Sequence, residues 1–193
     1  MSDEIKSFSK VAVLYGGSSS EREISLITGK AVFESLQSKG VEVILIDTIE
    51  PFIEVLKTEK VSHAWIALHG SDGEDGKIQS LLDMLNIKYT GSDPITCSIT
   101  MNKYFTKSIL KSSGFKTPEF MVVDSSTQYK NIIKELKEPF VLKQCSEGSS
   151  IGIFIIKSEE DFISRYLEIE NNTDWIIAEE LIKGDEYTST FLA

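Results

Sequence analysis

Four short segments carry residues whose types and spacing suit chemistry. The first is Gly16-Gly17-Ser18-Ser19-Ser20-Glu21-Arg22-Glu23. Glycines after an apolar run let the backbone come close to a ligand, and the helical pattern that follows puts a helix N-terminus there. The spacing is not GxGxxG, so it does not read as a dinucleotide loop. Glu21 and Glu23 stand where a helix dipole favours acids. Either they only stabilise the helix start, or one of them accepts a ligand ammonium. The second segment is His69-Gly70-Ser71-Asp72-Gly73-Glu74-Asp75-Gly76. Its glycines mark a tightly shaped loop, and His69 stands at a strand end. It is either a site group or part of a turn whose Glu74 and Asp75 fill the first turn of a helix.

The third segment is Lys143-Gln144-Cys145-Ser146-Glu147-Gly148-Ser149-Ser150-Ile151-Gly152. A lysine leaves a strand and meets a small, hydroxyl-rich turn that re-enters a strand. Amides and hydroxyls of such a turn can wrap phosphates, with the lysine as counter-charge. The lysine precedes the glycines, so this is not a P-loop. A polar hairpin loop explains the same residues. The fourth is Ala178-Glu179-Glu180-Leu181-Ile182-Lys183-Gly184-Asp185-Glu186. A strand ending in acids can offer backbone groups to a purine edge and a carboxylate to a ribose, or it can simply be a hairpin with solvated charges. Lys103, at the start of a helix, is by itself no more than a surface lysine. Cys145 has no histidine nearby and reads as a small passive residue.

These segments need elements to hold them. Residues 11–15, 41–46 and 64–68 read as buried strands. Residues 21–39, 52–58 and 75–85 read as helices. In the first, Ile24, Ile27, Ala31 and Leu36 form the expected inner face, Ser20 and Glu23 have capping-box spacing, and Gly40 is the stop. In the third, Ile78, Leu81, Leu82 and Leu85 form an i, i+3, i+4, i+7 stripe. Alternation of strand and helix implies a parallel sheet covered on both faces, with ligand sites at the carboxyl ends of its strands. The loops at 16–23 and 69–75 lie at such ends. Residues 94–112 read as one helix with Ile99, Met101, Phe105 and Ile109 inward. Strands at 119–123, 140–144, 151–157, 175–181 and 186–192 follow, with helices at 127–137 and 159–168. Hairpin-like spacing at 140–157 and 175–192 predicts an antiparallel α+β second domain. The expected domains are 1–95 and 96–193. The chain stops inside an apolar strand pattern, so further material is expected after Ala193.

The 193 residues carry 20 Lys+Arg against 30 Asp+Glu, a formal net charge of −10, which argues against general nucleic-acid binding. With 41% hydrophobic and 26% charged residues, the chain has the makings of a core without staples. Two cysteines make neither a disulfide framework nor a zinc site, and no metal ligand is assigned. The polar start is not a signal peptide, and no apolar run is long enough to span a membrane. The expected compartment is the cytoplasm.

Taken in order, GGSSSEREISLITG (16–29), HGSDGEDG (69–76), YTGSD (89–93), MNK (101–103), EGSSIG (147–152) and EELIKGDEYT (179–188) resemble the D-alanine–D-alanine ligases, a family of ATP-grasp enzymes. The resemblance runs from Val11 to Ala193. It implies a Rossmann-like, pre-ATP-grasp domain followed by the central ATP-binding subdomain of an ATP-grasp fold. Such ligases join two D-alanines with ATP, through a D-alanyl phosphate, to make a peptidoglycan precursor for the cell wall. The resemblance implies that Glu21 orients the ammonium of the first D-alanine together with Ser149, and that His69 lies beside its carboxylate. It implies that Lys103 and Lys143 hold ATP phosphates. It gives the adenine and ribose contacts to Glu179, Ile182 (through its backbone) and Glu186, and makes Glu147, Ser149 and Ser150 part of a flexible lid over the phosphates.

Two departures stand out. Lys143-Gln144 replaces the usual Lys-Pro, and Met101-Asn102-Lys103 the usual Met-Asp-Lys; neither removes the charged group. Members of the family continue well past the position of Ala193. That stretch carries the second substrate lobe, a transition-state arginine and the Mg²⁺ ligands. The resemblance therefore implies a chain without the C-terminal ATP-grasp part, inactive alone and homodimeric in its longer form. D-alanine–D-lactate or D-serine ligases and a non-catalytic nucleotide-binding module are the alternatives.

Overall fold

The computed structural model describes residues 10–146, 148, 152–170 and 175–189. The chain divides into two compact units, Met1–Asn102 and Lys103–Ala193. In the first unit, β1 (Val11–Tyr15), β2 (Val43–Asp47), β3 (His63–Ile66) and β4 (Lys88–Tyr89) form one sheet in the order β2-β1-β3-β4, every pair parallel. Between them run α1 (Arg22–Ser38), α2 (Ile53–Thr58) and α3 (Lys77–Met84). Parallel neighbours need crossovers, and these helices supply them. Ala12, Leu14, Ile46, Leu56, Ala64 and Leu82 form the core. The two-residue β4 is too short to show as a period in the sequence.

The inner face of α1 is not the expected one. Ile24 and Ile27 are exposed, while Ser25 and Gly29 are buried. The reason is close approach to β1: a Cβ on Gly29 would lie 2.3 Å from that of Tyr15. Only small residues fit under the helix, so the larger apolar ones turn outward. The expected capping box is also replaced. Glu21 occupies the N-cap without a side-chain cap, and the Arg22 amide donates to the Ser19 carbonyl at 3.1 Å.

The helix expected over 94–112 is two helices, α4 (Pro94–Met101) and α5 (Lys103–Ser112). Asp93 caps the first, accepting from the Ile95 and Thr96 amides, and Pro94 starts it. Asn102 is extended (φ −93°, ψ 108°) and breaks the run. The break resets the helical phase. Cys97 and Lys107 are buried, and Phe105 and Ile109 are about half exposed.

The second unit holds an antiparallel sheet in the order β5-β8-β6-β7: β5 (Phe120–Val123), β6 (Phe140–Gln144), β7 (Ile153–Ile156) and β8 (Ile176–Glu180). The hairpin expected over 140–157 is β6 and β7. β8 inserts between β5 and β6, and among the described residues no strand follows it: 181–189 are irregular, and the rest of the strand expected over 186–192 lies outside the described residues. Helices α6 (Tyr129–Leu136) and α7 (Glu159–Ile169) contribute Ile132, Leu136 and Phe162 to a core with Phe140, Leu142, Ile156 and Ala178. Ser158 caps α7 by accepting from the Asp161 amide, and three acids fill its first turn.

Alternation along the strands leaves a second face. Register places Val122, Ile177, Lys143 and Ile153 in one cross-strand row, and Phe120, Glu179, Val141 and Ile155 in the next. In-register partners share a face, so both rows lie opposite the Phe140–Leu142 core. α5 packs on part of this face: the Tyr104 ring meets that of Phe120 at 5.8 Å. Val122, Ile153 and Ile155 stay exposed.

Candidate functional site

In the first unit the loops after β1 and β3 are tied together by short hydroxyl side chains. Ser25, fully buried, accepts from the Gly16 amide at 2.8 Å and donates to the Ala67 carbonyl at 2.7 Å. Ser19 donates to the His69 carbonyl at 2.7 Å and accepts from the Glu21 amide at 3.2 Å. The chain Glu21–Ser19–His69 thus joins two sequence segments 48 positions apart (69 − 21). The His69 ring lies 3.1 Å from Thr28 Oγ1 through Nε2 and 3.7 Å from Glu74 through Nδ1. Thr28 shows how α1 fixes the imidazole, a contact that sequence spacing did not announce.

The glycine-rich start is locked from β2. Arg22 grips Asp47 with two nitrogens, at 3.0 and 2.6 Å, and also donates to the Gly17 carbonyl at 2.9 Å. The Gly17 amide donates to Asp47 at 3.2 Å. Hydrogen bonds from Arg22 hold the Asp47 carboxyl down at about 2, against the desolvation that would raise it. Gly16, at φ +72°, has no room for a side chain: a Cβ would lie 2.3 Å from Asp47 Oδ1. This is a rigid base under Glu21, and Asp47 is a structural partner that the four segments omit.

In the second unit, Lys143 and Glu179 meet on the open sheet face at 2.8 Å. Both side chains are largely shielded, at 16% and 12% exposure, so Glu179 is not a solvated hairpin charge. Lys107 contacts the other carboxylate oxygen at 2.7 Å. The four segments do not include it; its signal is a lysine one helical turn after Lys103, on a helix face that turns out to be buried. Lys103 is anchored just past β6, where its amide and its ammonium both donate to the Cys145 carbonyl, at 3.0 and 3.2 Å. Ile182 and Glu186 follow β8 in irregular, exposed chain. Glu147, Ser149 and Ser150 lie outside the described residues. Among the described residues, no group of three or more His, Cys, Asp or Glu is placed to hold a metal ion such as Mg²⁺. Among them also, no helix is long and apolar enough to cross a membrane. Cys97 and Cys145 are both buried, and no disulfide joins them.

Two family models match the chain: the D-ala D-ala ligase N-terminus over residues 47–92 and the ATP-grasp domain over 108–191. A D-alanine--D-alanine ligase of Pseudomonas entomophila is 40% identical over 189 residues, covering 98% of this chain and 59% of that protein. One from Carboxydothermus hydrogenoformans is 41% identical over 192 residues, with 95% and 61% covered. A crystal structure of D-alanine--D-alanine ligase from Bacillus anthracis superposes with a TM-score of 0.82 at 32% identity, covering 91% of this chain and 58% of that one. The same enzyme complexed with ATP gives 0.79 at 30% identity, with 91% and 59% covered. The parallel sheet followed by the antiparallel one is thus the fold of an ATP-grasp ligase. Within that class the chain is similar in sequence and in fold to the D-alanine–D-alanine ligases. It spans about three fifths of the length of the curated relatives it matches.

Proposed function

We propose that the protein takes part in ATP-dependent joining of two D-alanines, making a peptidoglycan precursor. The observation that carries this reading is the open sheet face of the second unit. It sets the Lys143–Glu179 pair beside the exposed Val122, Ile153 and Ile155, an apolar floor with an ammonium and a carboxylate. A purine nucleotide has the complementary chemistry: a flat base for the floor, N–H donors for the carboxylate and phosphates for the lysine.

The chemistry then runs in two steps. A D-alanine carboxylate oxygen attacks the γ-phosphorus of ATP, the bond to ADP breaks, and D-alanyl phosphate forms. The amine of a second D-alanine attacks the acyl carbon, phosphate leaves, and the amine loses a proton. The first step brings two anions together, so positioning and positive charge do most of the work. Lys143 and Lys103 supply charge at the phosphates. Glu179, the Ile182 backbone and Glu186 hold adenine and ribose. Glu21 receives the ammonium of the first D-alanine, aided by Ser149, and His69, steadied by Thr28 and Glu74, faces its carboxylate. Glu147 and Ser150 are assigned to the ATP phosphates, and exclusion of water there protects the acyl phosphate from hydrolysis. A cytoplasmic location, a homodimer and Mg²⁺ bound by residues outside this chain belong to the same reading.

Titration with ATP, followed by backbone amide shifts, tests the nucleotide half. Shifts are expected in β6, β7 and β8 around Lys143, Ile155 and Glu179. Shifts confined to the first unit, or none, would contradict it.

A further inference from the structure

α5, which packs on part of this sheet face, brings Lys107 to the Lys143–Glu179 pair. Lys107 is only 7% exposed. Its ammonium lies 2.7 Å from Glu179 Oε2, while Lys143 takes Oε1 at 2.8 Å. Lys107 also donates to Thr117 Oγ1 at 2.6 Å and sits 5.0 Å from the centre of the Phe120 ring. A buried ammonium persists only with such partners.

One carboxylate therefore stands between two ammoniums, and the trio keeps one positive charge in surplus. Each carboxylate oxygen has about two lone pairs, so Glu179 keeps acceptor capacity after meeting both lysines. The two lysines are not equivalent. Lys143 stands in the cross-strand row between Ile177 and Ile153, on the open face. Lys107 comes from the helix and is closed in by Thr117 and Phe120.

We propose that Lys107 is a positioning residue for nucleotide phosphates. It neutralises and fixes Glu179, which leaves the charge of Lys143 for the polyphosphate. It does not itself touch the nucleotide. Without it, Lys143 is the only cation bonded to Glu179 among the described residues, and its charge is taken up by that pair. The inference rests on the ATP reading above.

The test compares ATP with adenosine, both titrated into the 193-residue chain and followed by amide shifts. The ratio of the two affinities reports the phosphate contribution alone. In Lys107→Met this ratio falls roughly tenfold, the scale of one charge-assisted contact. Lys107→Met/Glu179→Gln, which leaves Lys143 unpaired, returns the ratio to within about threefold of wild type. An unchanged ratio in Lys107→Met, including equal loss of both ligands, would overturn the proposal, because a merely structural residue behaves that way. So would a double variant whose ratio stays low. Where Lys107→Met does not fold, the double variant carries the test alone: its buried pair is neutral, and a ratio well below wild type overturns the proposal. A wild-type chain that binds no ATP removes the nucleotide reading itself, a different result from an unchanged ratio.

Discussion

Gly70 lies against the carboxylate of Glu21: a Cβ on Gly70 would come within 2.9 Å of Glu21 Oε2. Gly70 also sits at φ +68°, a conformation that L side chains rarely adopt. The loop after β3 thus sets the space available to a carboxylate from the loop after β1. Gly70→Ala is expected to strain the loop by about 1–2 kcal/mol and to displace Glu21. In steady-state kinetics, KM for D-alanine should rise roughly tenfold, with KM for ATP within about twofold. An equal rise in both would separate Glu21 from the amino-acid site.

Glu21→Gln and Lys143→Ala should fail in opposite ways. On the proposed function the first removes the acceptor charge for an ammonium and should mainly raise KM for D-alanine. On the same reading the second removes a charge-assisted phosphate contact of about 1.5–3 kcal/mol, so ATP affinity should fall roughly ten- to a hundredfold. D-alanine KM should move little in Lys143→Ala. Direct nucleotide titration and steady-state kinetics together check both variants.

Asp47 makes the first unit sensitive to acid. Its carboxyl is held at about 2 when folded, chiefly by hydrogen bonds from Arg22, against about 3.9 in an unfolded chain. The lowered value means its contribution is fully present above the unfolded pKa and is lost as pH falls through the folded one. Asp47→Asn should therefore destabilise the protein at pH 7, by about 1–2 kcal/mol after allowance for partial exposure. The gap between variant and wild type should shrink between about pH 4 and pH 2. Urea unfolding across that range reads it; a gap independent of pH would mean that packing, not charge, joins Asp47 to Arg22.

The first sheet was legible because β1 and the α3 stripe repeat at clear periods. What the residues hid was packing distance. Ile24 and Ile27 look like a core stripe, yet Gly29 brings α1 so near Tyr15 that the small residues turn inward. The single helix expected over 94–112 fails for a related reason: nothing in the apolar pattern marks the extended Asn102 that resets its phase. Lys143 and Glu179 were visible as separate signals, but their pairing depends on β8 entering between β5 and β6, a topology that the hairpin spacing did not suggest. Lys107 was invisible for the converse reason, since a lysine on a helix reads as solvated until the helix is seen to bury it.

The most direct test of the whole account is phosphate release from ATP with D-alanine against L-alanine, using the protein that contains these residues. Release that depends on D-alanine, is absent with L-alanine and falls in Lys143→Ala is the predicted result. Release indifferent to the alanine enantiomer, or undiminished in Lys143→Ala, would contradict the account.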